Sequence, residues 1–253
     1  MIPFPGGKRF RDISELVLDL NADVGVSQSG GFVTGVADQS KYGNDVSAVV
    51  NGGYLAPTLV PGSLNGRASI VFSGGSSLGN TTSTSVPCLG PLHLFAVTQA
   101  LAAVGDIWSN GGVLFFAPYA VANVNGFGLQ WGYSGTYTNY YGYNQVSGAN
   151  SDWFQNAQTN TDPHIVEVHI AAGVNQKPVV RVDGVLQPFV ANVASNLSSG
   201  NGFSVGGYGL GESPGWDYTG RLRRMLVYKN ELSDYEAGVI RHILGVQNGI
   251  PVS

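Results

Sequence analysis

Short runs of aliphatic, β-branched and aromatic residues recur along the chain, each cut off by Gly, Pro, Asn or Ser. ELVLDL (15–20), VSAVV (46–50), RASIVF (67–72), LHLFAVT (92–98), GVLFFA (112–117), GFGLQWGY (126–133), IVEVHIA (165–171) and RRMLVY (223–228) read as strands. In VVRVDGVLQPF (179–189), Asp183 and Gly184 separate two alternating halves. Both residues tolerate the positive φ of a type I′ turn, so this segment is a predicted hairpin. The one helical period lies near the end. Ser233 and Glu236 form an S-x-x-E capping box, Val239, Ile240, Ile243 and Leu244 share a stripe, and Gly245 supplies a stop. One helix at about 233–245 against many strands predicts an all-β, two-sheet antiparallel sandwich. Residues 13–253 form one domain, preceded by a short arm at 1–12.

Composition sharpens that picture. Glycine occupies 37 of 253 positions and charged residues make up 11%, against roughly 25% in average globular chains. That balance suits short strands joined by tight turns. A net charge of −4 leaves no basic stripe for phosphates, so nucleic acid is not an expected partner. The lone Cys88 excludes an internal disulfide, and no CxxC or Cys/His spacing points to a metal; no cofactor is expected. No apolar stretch is long enough to span a membrane. MIPFPGGKRFRD lacks the apolar centre of a signal peptide, so synthesis in a cytoplasm is expected and the N-x-S/T triplets at Asn80 and Asn196 read as chance.

QWGYSGTYTNYYGYN (130–144) carries six rings in fifteen positions: Trp131, Tyr133, Tyr137, Tyr140, Tyr141 and Tyr143. Two strands at about 126–133 and 136–143, turning at Ser134-Gly135, would pair Tyr133 with Thr136 and Trp131 with Thr138. Alternation then places Trp131, Tyr133 and Tyr140 on one face and Tyr137, Tyr141 and Tyr143 on the other. One set packs the core. The other is an exposed row suited equally to sugar C–H faces or to a protein interface.

Several segments resemble concanavalin A-like jelly rolls of the laminin G type. ELVLDLNADVGV, GGFVTGVADQSKYGND and LNGRASIVFSGGSSL resemble that family's opening, and GRLRRMLVYKNELSDYEAGVIRHILGVQNGI resembles its closing strand and capping helix. The resemblance implies a jelly-roll sandwich, found among lectins, glycanase modules, adhesion domains and virus surface proteins. It also implies that Asp38, Ser40 and Asn44 of ADQSKYGND tie the loop to its own backbone. Asp38, Asn44 and Asp45 stay open as a lesser candidate for calcium or sugar hydroxyls. The sequence departs from the family at Val36, where a tryptophan is usual, and at Phe72-Ser73-Gly74, where an aspartate is usual.

Catalytic signals are thin. A glycanase needs two converging carboxylates, and Glu167 has no acid on its own strand face, its i+2 neighbour being His169. GSSLG (75–79) matches G-x-S-x-G, but loop composition rather than a helix follows Ser77, so it reads as a turn. Asp19, Asn21 and Asp23 begin like a calcium loop whose glycine falls late and whose closing acid is missing. His93, His164, His169 and His242 are scattered. The expectation is a non-enzymatic protein.

The arm combines Ile2, Phe4 and Phe10 with Lys8, Arg9 and Arg11, an arrangement suited to anchoring on a neighbour or to lying along its own domain. With the family resemblance, it leads to the expectation of a bacteriophage virion surface protein, a capsid decoration or tail-associated adhesin. Its partners would be other virion proteins, sister subunits and a cell-surface glycan. The alternative is a free lectin or carbohydrate-binding module.

Overall fold

The computed structural model describes residues 10, 13, 15–49, 55–87, 91–101, 113–117, 126–130, 140–141, 143–145, 154–155, 161–171, 178–188, 201–207 and 218–253. The strands run β1 (Leu16–Asn21), β2 (Val26–Ser29), β3 (Phe32–Val36), β4 (Val46–Val49), β5 (Thr58–Leu64) and β6 (Arg67–Ser73). Then come β7 (Ser77–Asn80), β8 (Leu92–Ala100), β9 (Val113–Ala117), β10 (Gly126–Gln130), β11 (Tyr140–Tyr141), β12 (Tyr143–Gln145) and β13 (Phe154–Gln155). The last are β14 (His164–Ile170), β15 (Val179–Val182), β16 (Val185–Leu186), β17 (Phe203–Val205) and β18 (Thr219–Tyr228), followed by helix α1 (Asp234–Asn248). The pairings are antiparallel. The chain is an all-β, two-sheet sandwich of the jelly-roll class with one C-terminal helix among the described residues, as expected.

The front layer runs β5-β6-β18-β8-β14-β15-β16, with β1 also on β18; the back layer runs β12-β10-β9-β17-β7-β4-β3, with β2 on β3. Among the described residues, the strand ladder passes between the layers at the pair Phe32 with Thr58, where it turns the corner of the sandwich. Leu94 and Ala96 of β8, Val166 and Val168 of β14, Ile70 and Phe72 of β6, and Met225 and Val227 of β18 face inward. They meet Val33, Val36, Val46, Leu78, Phe115, Phe203 and Val205 of the back layer. The intervening residues Phe95, Val97, Ile165, Leu226 and Tyr228 lie on the other face, under Ala237, Ile240, Ile243 and Leu244 of α1. Each large side chain so buried contributes about 1.5–3 kcal/mol. A strand covered on both faces needs no polar alternation, which is why LHLFAVT reads as a continuous apolar run.

The capping box forms as its spacing requires: the Ser233 side chain accepts the Glu236 N–H, and Glu236 returns to the Ser233 backbone. The expected stop at Gly245 is corrected. The helix continues to Asn248, and Gly249 (φ 64°) closes it in the left-handed region. Gly245 serves another purpose, because Ile250 folds back across it and donates its N–H to the Gly245 carbonyl. The Asp183-Gly184 hairpin joins β15 to β16 with φ of 51° and 88°. GSSLG is a strand rather than a turn: Ser77 is buried at the start of β7, which pairs with β4 and β17. The β2–β3 hairpin and strands β5 and β17 were not legible, because glycine, serine and proline interrupt their apolar positions.

Candidate functional site

The described end of the aromatic stretch, Tyr143–Gln145, sits at the edge of the back layer as β12. β12 pairs with β10 as expected, but with Gly128 opposite Tyr143, a register two residues away from the one the Ser134-Gly135 turn predicts. Tyr140 and Tyr141 do not continue that strand; they pair with Gln155 and Phe154 in a separate two-stranded sheet. Trp131, Tyr133 and Tyr137 lie outside the described residues, as do Ile2, Phe4, Lys8, Arg9 and Arg11 of the arm. Phe10 is described, and its own domain holds it: it is buried in the cluster beneath α1, with the Arg224 guanidinium 4.5 Å from its ring centroid.

The polar loop is stitched to the strands around it. Asp38 Oδ1 accepts the N–H groups of Asp19 (2.8 Å) and Ser40 (2.9 Å), and Oδ2 accepts the Ser40 hydroxyl (2.6 Å) and the Asn44 N–H (2.8 Å). Asp45 Oδ1 accepts the Asp38 N–H, and Asn44 donates to the Val17 carbonyl and the Ser85 hydroxyl. The other acids of this region are likewise engaged. Arg224 grips Asp19 through two nitrogens (2.9 and 2.7 Å), and Arg223 bonds Asn21 and Asp23. No group of three His, Cys, Asp or Glu side chains suited to a metal ion occurs among the described residues.

A cluster invisible in the sequence lies between the front layer and α1. Glu167 was singled out as lacking a partner on its own strand, and its partners come from three other elements. His93 of β8 meets Oε1 at 2.8 Å, Arg241 of α1 donates to Oε2 at 2.5 Å, and Arg181 of β15 stands 3.9 Å away. Burial pushes the Glu167 carboxyl upward, but the His93 hydrogen bond and the charges of His93 and Arg241 outweigh it and hold the group below its ordinary value. The histidines are not scattered in space: His93 stacks on His169 with centroids 4.9 Å apart. Burial, then His93, lowers the His169 pKa. His164 bonds Asp183 at 2.6 Å. With Glu167 sealed, this cluster is built to hold α1 on the sheet rather than to meet a ligand.

Solvent reaches the half of the front layer's outer face that α1 leaves uncovered. Strand register sets one transverse row there: Phe32 opposite Thr58, Thr58 opposite Val71, Val71 opposite Arg221, and Arg221 opposite Gln99. Residues directly opposite share a face, and at ~4.8 Å per strand the row is ~19 Å long. Phe32 is exposed at 41%, while Thr58, Val71, Arg221 and Gln99 are half-buried, with Thr219 and the exposed Leu101 beside them. The inward neighbours Val33, Ile70, Phe72 and Leu222 are in the core, so the platform is rigid. Hydroxyl, guanidinium and amide along the front layer, with the Phe32 ring at the corner where the ladder passes to the back layer, can meet both the apolar and the hydroxyl sides of a polyol.

No protein-family model matches the sequence, and no curated protein sequence matches it either. Solved structures do share the fold. An arabinofuranosidase complexed with arabinofuranosyl-α-1,2-xylobiose superposes with a TM-score of 0.61 at 11% identity, over 95% of this chain and 61% of that one. The Trypanosoma rangeli sialidase with the inhibitor DANA gives 0.58 at 16% identity, over 94% of this chain and 34% of that one. Domain 4 of AbnA, a GH43 extracellular arabinanase of Geobacillus stearothermophilus solved with arabinotriose, gives 0.52 at 11% identity, over 87% of this chain and 94% of that domain. The chain thus spans less than two thirds of the first two. These neighbours overturn the expectation of a non-enzymatic protein, since they are glycoside hydrolases or a domain of one. The expectation rested on looking for paired acids along one strand. Glu167 and His93 show the weakness of that search, meeting at 2.8 Å across 74 residues of sequence. The fold of this chain is one that carbohydrate-binding and carbohydrate-active proteins use.

Proposed function

We propose that this chain is a carbohydrate-recognition domain that binds a short oligosaccharide across the row from Phe32 to Gln99. The observation that carries the reading is the likeness over nearly the whole of the arabinanase domain solved with arabinotriose. The chemistry of the face agrees with it, an aromatic ring at one end and half-buried hydroxyl, guanidinium and amide groups along the rest. The laminin G-type resemblance extends the reading: the domain is displayed on a bacteriophage virion, attached by its arm to virion proteins, and presents this face to host glycans. That placement is supported by the sequence motifs.

The test is binding of arabinotriose and a panel of cell-surface glycans by calorimetry, with product release followed in the same samples. Phe32→Ala should weaken binding by about 2- to 10-fold, the worth of one aromatic contact, without changing the melting temperature. Absence of binding to every glycan, or unchanged binding by the variant, would refute the reading. Virion placement is tested separately by mass spectrometry of purified particles.

A further inference from the structure

We propose that Arg221 is the anchor for a carboxylate-bearing sugar, so that the ligand on this face is an acidic glycan. The inference rests on the carbohydrate-recognition reading and names its ligand class.

The contrast among the arginines carries it. Arg67, Arg181, Arg223, Arg224 and Arg241 each have a carboxylate oxygen within 3.9 Å. Arg221, alone among the described arginines, has none. Its side-chain partner is neutral: Nη1 donates to Gln99 Oε1 at 2.8 Å, while Nε is buried without a partner on the inner side of the group. Gln99 is itself held, its amide donating to the Thr161 carbonyl at 2.7 Å. The backbone beneath is pinned as well, since the Thr98 hydroxyl donates to the Arg221 carbonyl at 2.9 Å. Among the described residues, then, this half-buried guanidinium is fixed in place with no carboxylate beside it, in a chain of net charge −4.

A planar fork of that kind selects carboxylate geometry, and partial burial strengthens the pair beyond a solvent-exposed one. The rest of the row suits the body of a sugar. Thr58 and Thr219 supply hydroxyls on either side, Val71 gives an apolar patch next to Arg221, and Phe32 closes the far end. With Arg221 next to one end of the row, the carboxylate lies at the Gln99 side and the neutral residues extend toward Phe32. Hexuronates and sialates carry the same group, and the shared carboxylate is what the site reads.

Calorimetry on the whole chain would compare oligogalacturonate, sialyllactose, arabinotriose and a glutamate-rich peptide. The two acidic glycans, or one of them, should bind about 10- to 100-fold tighter than the neutral one, with affinity falling as salt rises. Arg221→Gln should remove that preference by weakening the acidic glycans far more than arabinotriose, while Arg221→Lys should keep part of it. A melting temperature close to the parent's certifies that the variants are folded, and the lysine variant decides the matter if the glutamine variant is not. Equal binding of acidic and neutral glycans, or an unaltered preference in Arg221→Gln, overturns the inference and leaves the carbohydrate reading standing. Tighter binding of the peptide than of any glycan overturns it in favour of a protein ligand. Absence of binding to any glycan removes the parent reading and this one together.

Discussion

Two glycines of α1 make a matched test of how the helix is held. Gly238 and Gly245 both lie inside the helix, where glycine costs about 1 kcal/mol relative to alanine. A Cβ added at Gly238 meets nothing closer than an Arg241 nitrogen at 3.6 Å, an ordinary contact. Gly238→Ala should therefore stabilise the protein by about 1 kcal/mol, or ~2–4 °C in melting temperature. At Gly245 the same methyl would stand 2.7 Å from the Ile250 carbonyl oxygen and 3.2 Å from both Val252 methyl carbons. That oxygen belongs to the backbone segment whose N–H bonds Gly245, so it cannot swing aside as a side-chain tip would. Overpacking of about 1–3 kcal/mol, with the loss of roughly 1 kcal/mol of hydrogen bond, exceeds the propensity gain. Gly245→Ala should be net destabilising by about 1–3 kcal/mol. Paired urea unfolding curves, with equal slopes required, measure both. Stabilisation of similar size by the two alanines would show that the segment after the helix does not pack as described.

Other consequences follow from the buried charges and turns. Glu167→Gln should cost about 3–5 kcal/mol at neutral pH, because it leaves the Arg241 charge without its partner, and a denaturation series would expose a smaller loss as error. The folded-state pKa of His169 is depressed, so the unfolded chain binds more protons and stability should fall as pH drops below the ordinary 6.5; His169→Gln should flatten that decline in melts taken at several pH values. Glu167 is also depressed, so its contribution is present above 4.5 and lost below it, giving an acid limb that Glu167→Gln should abolish. Asp38→Ala removes an acceptor of four hydrogen bonds and should cost about 3–4 kcal/mol, whereas added calcium should not change the melting temperature of the parent.

Legibility followed the range of the interactions. The capping box, the Asp183-Gly184 turn and the apolar runs of β1, β6, β8, β14 and β18 were all readable, because each is set by residues a few positions apart. The helix end was misplaced because Gly245 resembles a stop, while the actual stop needs the positive φ that Gly249 adopts. The β10–β12 register was missed by two residues because a Ser-Gly pair is a weak turn signal and no buried contact nearby could be counted in advance.

What the sequence determined by itself is the class: short strands, tight turns and one capped helix admit an all-β sandwich, since local spacing decides element type. What only the tertiary structure decided is which side chains face one another. His93, Glu167, Arg181 and Arg241 converge from four elements because antiparallel register and the seating of α1 bring their faces together. The row from Phe32 to Gln99 likewise spans five strands from both ends of the chain. Such a surface is a product of cross-strand pairing, in which neighbours in space stand from 13 residues apart in sequence, Thr58 to Val71, to 150 apart, Val71 to Arg221. No local pattern can carry it.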